Sequence, residues 1–97
     1  MRVIAKRTLR EFWLKHADRE QALKSWYSEA DKSEWQSPND IKLEYPSASL
    51  LTDDRMVFNI KGNSYRLIVK INYTYQRVWI RFIGTHAEYS KIDATII

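Results

Sequence analysis

The chain has no cysteine and only two histidines, so few of its side chains can carry a proton near neutral pH. One of them, His86, stands three residues before Tyr89 in the run Gly84-Thr85-His86-Ala87-Glu88-Tyr89. If Thr85 or His86 opens a helical turn, the two side chains project from one side. An imidazole titrates close to working pH and can serve as general acid or base, though spacing alone suits a capping histidine equally well. His16 falls on an apolar stripe with Leu9, Phe12, Trp13 and Ala17 and reads as structural.

The charge around His86 points to its substrate class. Residues 1–48 carry a net charge of +1 and residues 49–97 a net of +3. Within 55–91, seven basic residues stand against Glu88 alone. With a pI near 9.4, such a concentration favours a polyanion, and nucleic acid is the commonest one. A solvated basic face without a partner has the same composition.

Other chemistries lack their parts. Two distant histidines without clustered carboxylates argue against a metal site, and no metal or cofactor is expected. Gly62 and Gly84 are the chain's two glycines, too few for a phosphate-cradling loop, and no nucleophile elbow supports a serine hydrolase. What remains is metal-free phosphodiester chemistry on RNA. There a base deprotonates the ribose 2′-hydroxyl, cations stabilise the phosphorane-like transition state, and an acid protonates the leaving 5′-oxygen.

The elements that must position these groups change period halfway along. Met1–Ala5 reads as a short strand. Leu9 to Ala17 repeats apolar residues at helical spacing, with Thr8 and Glu11 in the form of a capping box. A second helix is expected from Asp18 to Ala30, and a short third from Pro38 toward Tyr45, stopped by Pro46. Trp13, Trp26 and Trp35 are expected as packing anchors rather than a base-stacking platform. Strands are then expected at Arg55–Ile60, Ser64–Tyr73 and Arg77–Ile83, with a hairpin turn at Gly62-Asn63. At 97 residues the chain is read as one α+β domain spanning 1–97, ordered β-α-α-(α)-β-β-β. No apolar run has the roughly 20 residues of a membrane helix, and a cytoplasmic protein is expected.

Strand alternation sorts the second half into two faces. A two-residue turn at Gly62-Asn63 sets Asn59 opposite Arg66 and Phe58 opposite Leu67. A two- or four-residue loop near Tyr75 then places Arg66, Lys70 and Arg81 together; a three-residue loop would bury Arg81 among apolar side chains. Val78, Ile80 and Phe82 are expected on the apolar face, under the helical hairpin. Arg55, Asn59, Lys61, Arg66, Lys70, Trp79 and Arg81 are expected on the other, with Asn63 in the adjoining turn, as the residues that meet RNA. Arginines on central strands are poorly explained as guards against edge pairing.

Four segments carry a family likeness. Met1–Ala5, Tyr45–Ala48, Val57–Leu67 (with Phe58-Asn59-Ile60-Lys61-Gly62-Asn63) and Ile80–Tyr89 (with Gly84-Thr85-His86-Ala87-Glu88-Tyr89) resemble the HigB toxins of the RelE superfamily. The resemblance covers nearly the whole chain. It implies helices packed on one face of an antiparallel sheet, and a ribosome-dependent mRNA interferase acting in the decoding site beside 16S rRNA. It also implies neutralisation by a helix-turn-helix antitoxin of the HigA type. Arg66 and Arg81 match positions that hold the scissile phosphate, Lys61 is placed to bind phosphate, and His86 with Tyr89 matches the segment of acid and base duties. His86 is expected to transfer the proton, with Tyr89 orienting it or the substrate. The rivals are an RNA-binding inhibitor of translation that does not cut, and a gyrase inhibitor of the ParE branch. The Thr85–Tyr89 segment argues against the last.

Overall fold

A computed structural model describes residues 1–62 and 64–97; Asn63, expected as a turn residue and an RNA contact, lies outside the described residues. The chain runs β1 (Arg2–Ile4), α1 (Lys6–Lys15), a 3-10 turn (Ala17–Arg19), α2 (Glu20–Lys32), α3 (Pro38–Glu44), β2 (Ser49–Leu50), β3 (Arg55–Ile60), β4 (Tyr65–Asn72), β5 (Arg77–Thr85) and α4 (His86–Tyr89). The strands form one sheet in the order β1-β5-β4-β3-β2. β1 joins β5 in parallel, and the other neighbours are antiparallel. This is the expected α+β class with a mainly antiparallel sheet. The addition is β2, two exposed residues too short to show a period. No helix of the described residues is long and apolar enough to cross a membrane.

The helix starts depart from the expected caps. Ala5 takes a left-handed conformation (φ 71°) to turn the chain sharply out of β1, so α1 begins at Lys6. The Thr8 amide donates to the Ala5 carbonyl at 3.0 Å, and Glu11 accepts from Arg7 instead of closing a capping box. Asp18 does not open the second helix either. It lies in the 3-10 turn, its carboxylate accepting from the Tyr65 hydroxyl (3.1 Å) and the Lys61 ammonium (3.3 Å). The third helix starts as read, with Ser37 extended and Pro38 in the first turn.

The helices cover the face that alternation assigned to them. Trp13, Trp26 and Trp35 are buried with Leu9, Leu23, Ile41, Met56, Phe58, Leu67, Val69, Ile71, Val78 and Ile80. Phe58 is the hub, meeting Trp26 edge-on (centroids 5.3 Å), stacking near Trp35 (6.3 Å) and touching Tyr45 (5.1 Å). Truncating such a ring to alanine costs about 3–5 kcal/mol.

Register then decides what the opposite face presents. Phe58 pairs with Leu67 and Asn59 with Arg66, as the hairpin argument required. β4 and β5 are joined by four residues, and Lys70 pairs with Trp79. One feature overturns part of the expected alternation. Val69 pairs with Ile80 but Ile68 pairs with Phe82, leaving Arg81 as the extra residue of a bulge. Beyond it the two faces exchange. Ile83 packs against the helical core, while Phe82 and Gly84 fall in register with Ile68 and Arg66 on the other side.

Candidate active site

Three cross-strand rows make up the face turned away from the helices. Arg55, Lys70 and Trp79 form one; Val57, Ile68 and Phe82 the next, beside the bulged Arg81; Asn59, Arg66 and Gly84 the third. β5 runs past the third row directly into α4, which brings His86 and Tyr89 to that end.

α4 has only one turn, so its ends must be held by side chains. Thr85 Oγ1 accepts from the Glu88 amide (3.1 Å), and Glu88 Oε1 accepts from the Thr85 amide (2.8 Å), a complete capping box. Those Thr85 contacts hold the Glu88 carboxyl below its usual range, with the His16 and Arg19 charges adding to the effect. The His86 amide donates to the Ser64 carbonyl (3.3 Å), tying the helix to the start of β4. Close approach also requires Gly84: a Cβ there would come within 2.6 Å of the Phe82 ring and 3.2 Å of Glu88 Oε1. On this platform His86 is exposed, Tyr89 is half-buried, and the Arg66 guanidinium carbon lies 6.0 Å from the Tyr89 ring centroid. A proton carrier, a phenol and a cation thus share one end of the face.

The first row is arranged differently. Arg55 is 6% exposed. Its Nη1 donates to Asp53 Oδ2 (3.0 Å), and the same oxygen accepts from the Lys70 ammonium (3.0 Å). Lys70 and then Arg55 hold the Asp53 carboxyl below its ordinary range. Arg55 Nε and Arg81 Nε both donate to the Ile97 carbonyl, at 3.0 and 3.4 Å. Trp79 is half-buried opposite Lys70.

The structure therefore brings Arg66 beside Tyr89, with His86 on the same turn of α4, and sets Arg55, Lys70 and Trp79 at the other end, with the bulged Arg81 between the two rows. Lys61 bonds to both the carbonyl and the carboxylate of Asp18, toward the helical layer. The Asn59 amide donates to the Ser47 carbonyl (3.4 Å) beside β2. Sequence reasoning missed Asp53, because the charge count began two residues beyond it. It also left Thr85-x-x-Glu88 unread as a capping box, although the motif is local and legible.

Comparison with known proteins bears on what such a face does. Residues 19–92 match the HigB toxin family, described as the RelE-like toxic component of a toxin-antitoxin system. An mRNA interferase HigB of Escherichia coli O6:H1 is 27% identical over 94 residues, covering 95% of this chain and 91% of that protein. The mRNA interferase toxin HigB of Escherichia coli K12 and the mRNA interferase HigB of Shigella flexneri are each 26% identical over 96 residues, covering 97% of this chain and 92% of theirs.

Proposed function

The chain belongs to the HigB toxin family of RelE-like toxic components, and we infer that it is an mRNA interferase, an endoribonuclease paired with an antitoxin. In this reading it acts in the cytoplasm on message held by the ribosome, in the decoding site beside 16S rRNA, and a helix-turn-helix antitoxin of the HigA type neutralises it. The observation that carries the catalytic part is the convergence of Arg66, His86 and Tyr89 at the α4 end of the basic face.

The chemistry follows from those groups. His86 takes the proton from the ribose 2′-hydroxyl or gives one to the departing 5′-oxygen, while Tyr89 orients it or the substrate. The 2′-oxygen attacks phosphorus as the bond to the 5′-oxygen breaks, leaving a 2′,3′-cyclic phosphate and a 5′-hydroxyl. Negative charge builds on the non-bridging oxygens during the step, so Arg66, with Arg81 at the bulge, stabilises the transition state more than the ground state. Asn59, Lys61, Lys70, Arg55 and Trp79 serve as secondary contacts along the strand of RNA.

Primer extension on mRNA from a translating extract tests this, using the purified chain beside His86→Ala and Arg81→Ala. New 5′ ends that need ribosomes and fade in both folded variants are the expected result. Stalled translation without new ends would mean that the face binds RNA without cutting it.

A further inference from the structure

The segment that follows α4, residues 90–97, lies on the basic face. Its Ile97 carbonyl is the oxygen on which Arg55 Nε (3.0 Å) and Arg81 Nε (3.4 Å) converge. Arg55 is on β3 and Arg81 on β5, with β4 between them. Two N–H groups from separate guanidinium ions meeting at one oxygen is the geometry that holds a non-bridging phosphate oxygen.

A second observation concerns the row between the two ends. Val57 and Ile68 point away from the helices and stand outside the core cluster, yet they are only 4% and 0% exposed. A segment starting beside Arg66 and Gly84 and reaching Arg55 must cross that row. Its burial alternates accordingly: Ile92, Ala94 and Ile97 are half-buried, while Lys91, Asp93 and Thr95 are exposed. Among the described residues its other backbone hydrogen bonds are local, running within the segment or back to α4, as from Ile92 to Tyr89 and Ile96 to Asp93.

We propose that residues 90–97 form a displaceable strap whose Ile97 carbonyl occupies an RNA phosphate seat made by Arg55 and Arg81. Single-stranded RNA binds by taking that seat and lifting the strap. A strand of RNA brings several phosphates to the face at once, whereas the strap offers one oxygen, so the exchange runs toward RNA. The strap starts one residue after Tyr89, so lifting it also opens the path to α4. The proposal rests on RNA being the substrate and adds how the face is kept closed without it.

The chain has no cysteine, so Ile96→Cys, at an exposed position, accepts a single nitroxide label. The probe is a short single-stranded 2′-O-methyl oligonucleotide, which keeps the phosphates but cannot be cleaved through the 2′-oxygen. Titration should turn a restricted nitroxide spectrum into a mobile one, with the same midpoint as binding followed by fluorescence anisotropy. A strap-releasing variant, Ile92→Asn with Ile97→Asn, changes no charge. It should bind about tenfold more tightly if the native strap is open about a tenth of the time. Binding that leaves the label restricted would overturn the proposal, as would equal affinity in the folded released variant. So would failure of the oligonucleotide to bind either protein, because a vacated seat would then take no phosphate. Ribosome-dependent cleavage with an immobile strap sinks the strap alone, and displacement without cleavage sinks the nuclease reading alone.

Discussion

At one end of the exposed sheet face Arg66 lies beside Tyr89 and the helix that carries His86, while at the other Arg55 and Lys70 share one carboxylate oxygen of Asp53. Both ends are built on the same strands and read alike in the sequence. They differ in what surrounds the charges. At the α4 end Arg66 lies against the Tyr89 ring, and Glu88 is engaged with Thr85 as a helix cap. At the other end the acid lies against the cations, and the Ile97 carbonyl takes further donors. A count of basic residues therefore overstates the charge of the Arg55 end, where Asp53 offsets it. In the proposed mechanism the cations that act on the phosphate are Arg66, beside Tyr89, and Arg81 at the bulge.

The comparison is broken most easily by exchanging the two ends' expected sensitivities. His86→Ala should lower the cleavage rate by about 10²–10⁴-fold, the usual worth of a general acid or base, with little change in thermal unfolding. Lys70→Ala should lower it by no more than about threefold, because an exposed ion pair with Asp53 contributes little on its own. Quantitative primer extension measures both. Equal losses would show that the division into two ends has no functional meaning.

A smaller effect is expected from Gly84→Ala. The added carbon would overlap the Phe82 ring and crowd Glu88, the two groups that fix where α4 starts. Overpacking of this kind costs about 1–3 kcal/mol, and the helix can relieve it by moving. We expect a lower melting temperature together with cleavage reduced by about 10-fold or more, since small displacements of reacting groups are costly. A variant that melts earlier but cleaves normally would show that α4's exact placement is unimportant.

How much of this was legible in the sequence depends on the range of the interaction. Arg55–Ile60 was placed to the residue, because period-2 alternation and turn residues at both ends are local signals. The β3–β4 register followed from the same pattern, with Lys61 and Gly62 both at positive φ in the turn. The bulge at Arg81 was invisible: Ile80-Arg81-Phe82-Ile83 alternates equally well in either phase, so only pairing with β4 settles which ring faces the helices. Thr8 and Glu11 matched a capping motif, but the turn at Ala5 started the helix before they could cap it. At the candidate site, the placing of His86 and Tyr89 on one helical turn is legible because four residues of sequence decide it. The sharing of Asp53 by Arg55 and Lys70 is not, because it depends on how a loop folds against two strands.

Asp53→Asn sharpens the contrast from the other side. Removing that carboxylate adds one net positive charge to the strap end and leaves Lys70 without its acid. RNA affinity should rise by a few-fold, and the salt dependence of binding should steepen by about one phosphate contact or less. Arg55, buried and deprived of its charged partner, makes the same variant less stable. Fluorescence anisotropy at several salt concentrations reads the first effect and thermal unfolding the second. Unchanged affinity would mean that Asp53 does not keep this end from RNA.

The smallest expected effect is one of pH, and it asks whether the α4 end is held as described. Glu88 has a folded pKa below its ordinary value of 4.5, mainly because the Thr85 amide and hydroxyl contact its ionised form and cap. A lowered folded pKa means that the folded state binds this proton less readily than the unfolded chain. The cap's contribution is then fully present above about the ordinary carboxylate range and is lost as pH falls through the lowered value. The Thr85 amide resonance should report this directly, titrating with a midpoint below 4.5 and losing the transition in Glu88→Gln. Asp53 is lowered in the same direction by Lys70 and Arg55, so acid loosens both ends, but only the Thr85 signal follows the cap beneath His86. A midpoint at or above the ordinary value would show that the capping box does not hold α4 in solution, and the proposed placement of His86 would lose its structural basis.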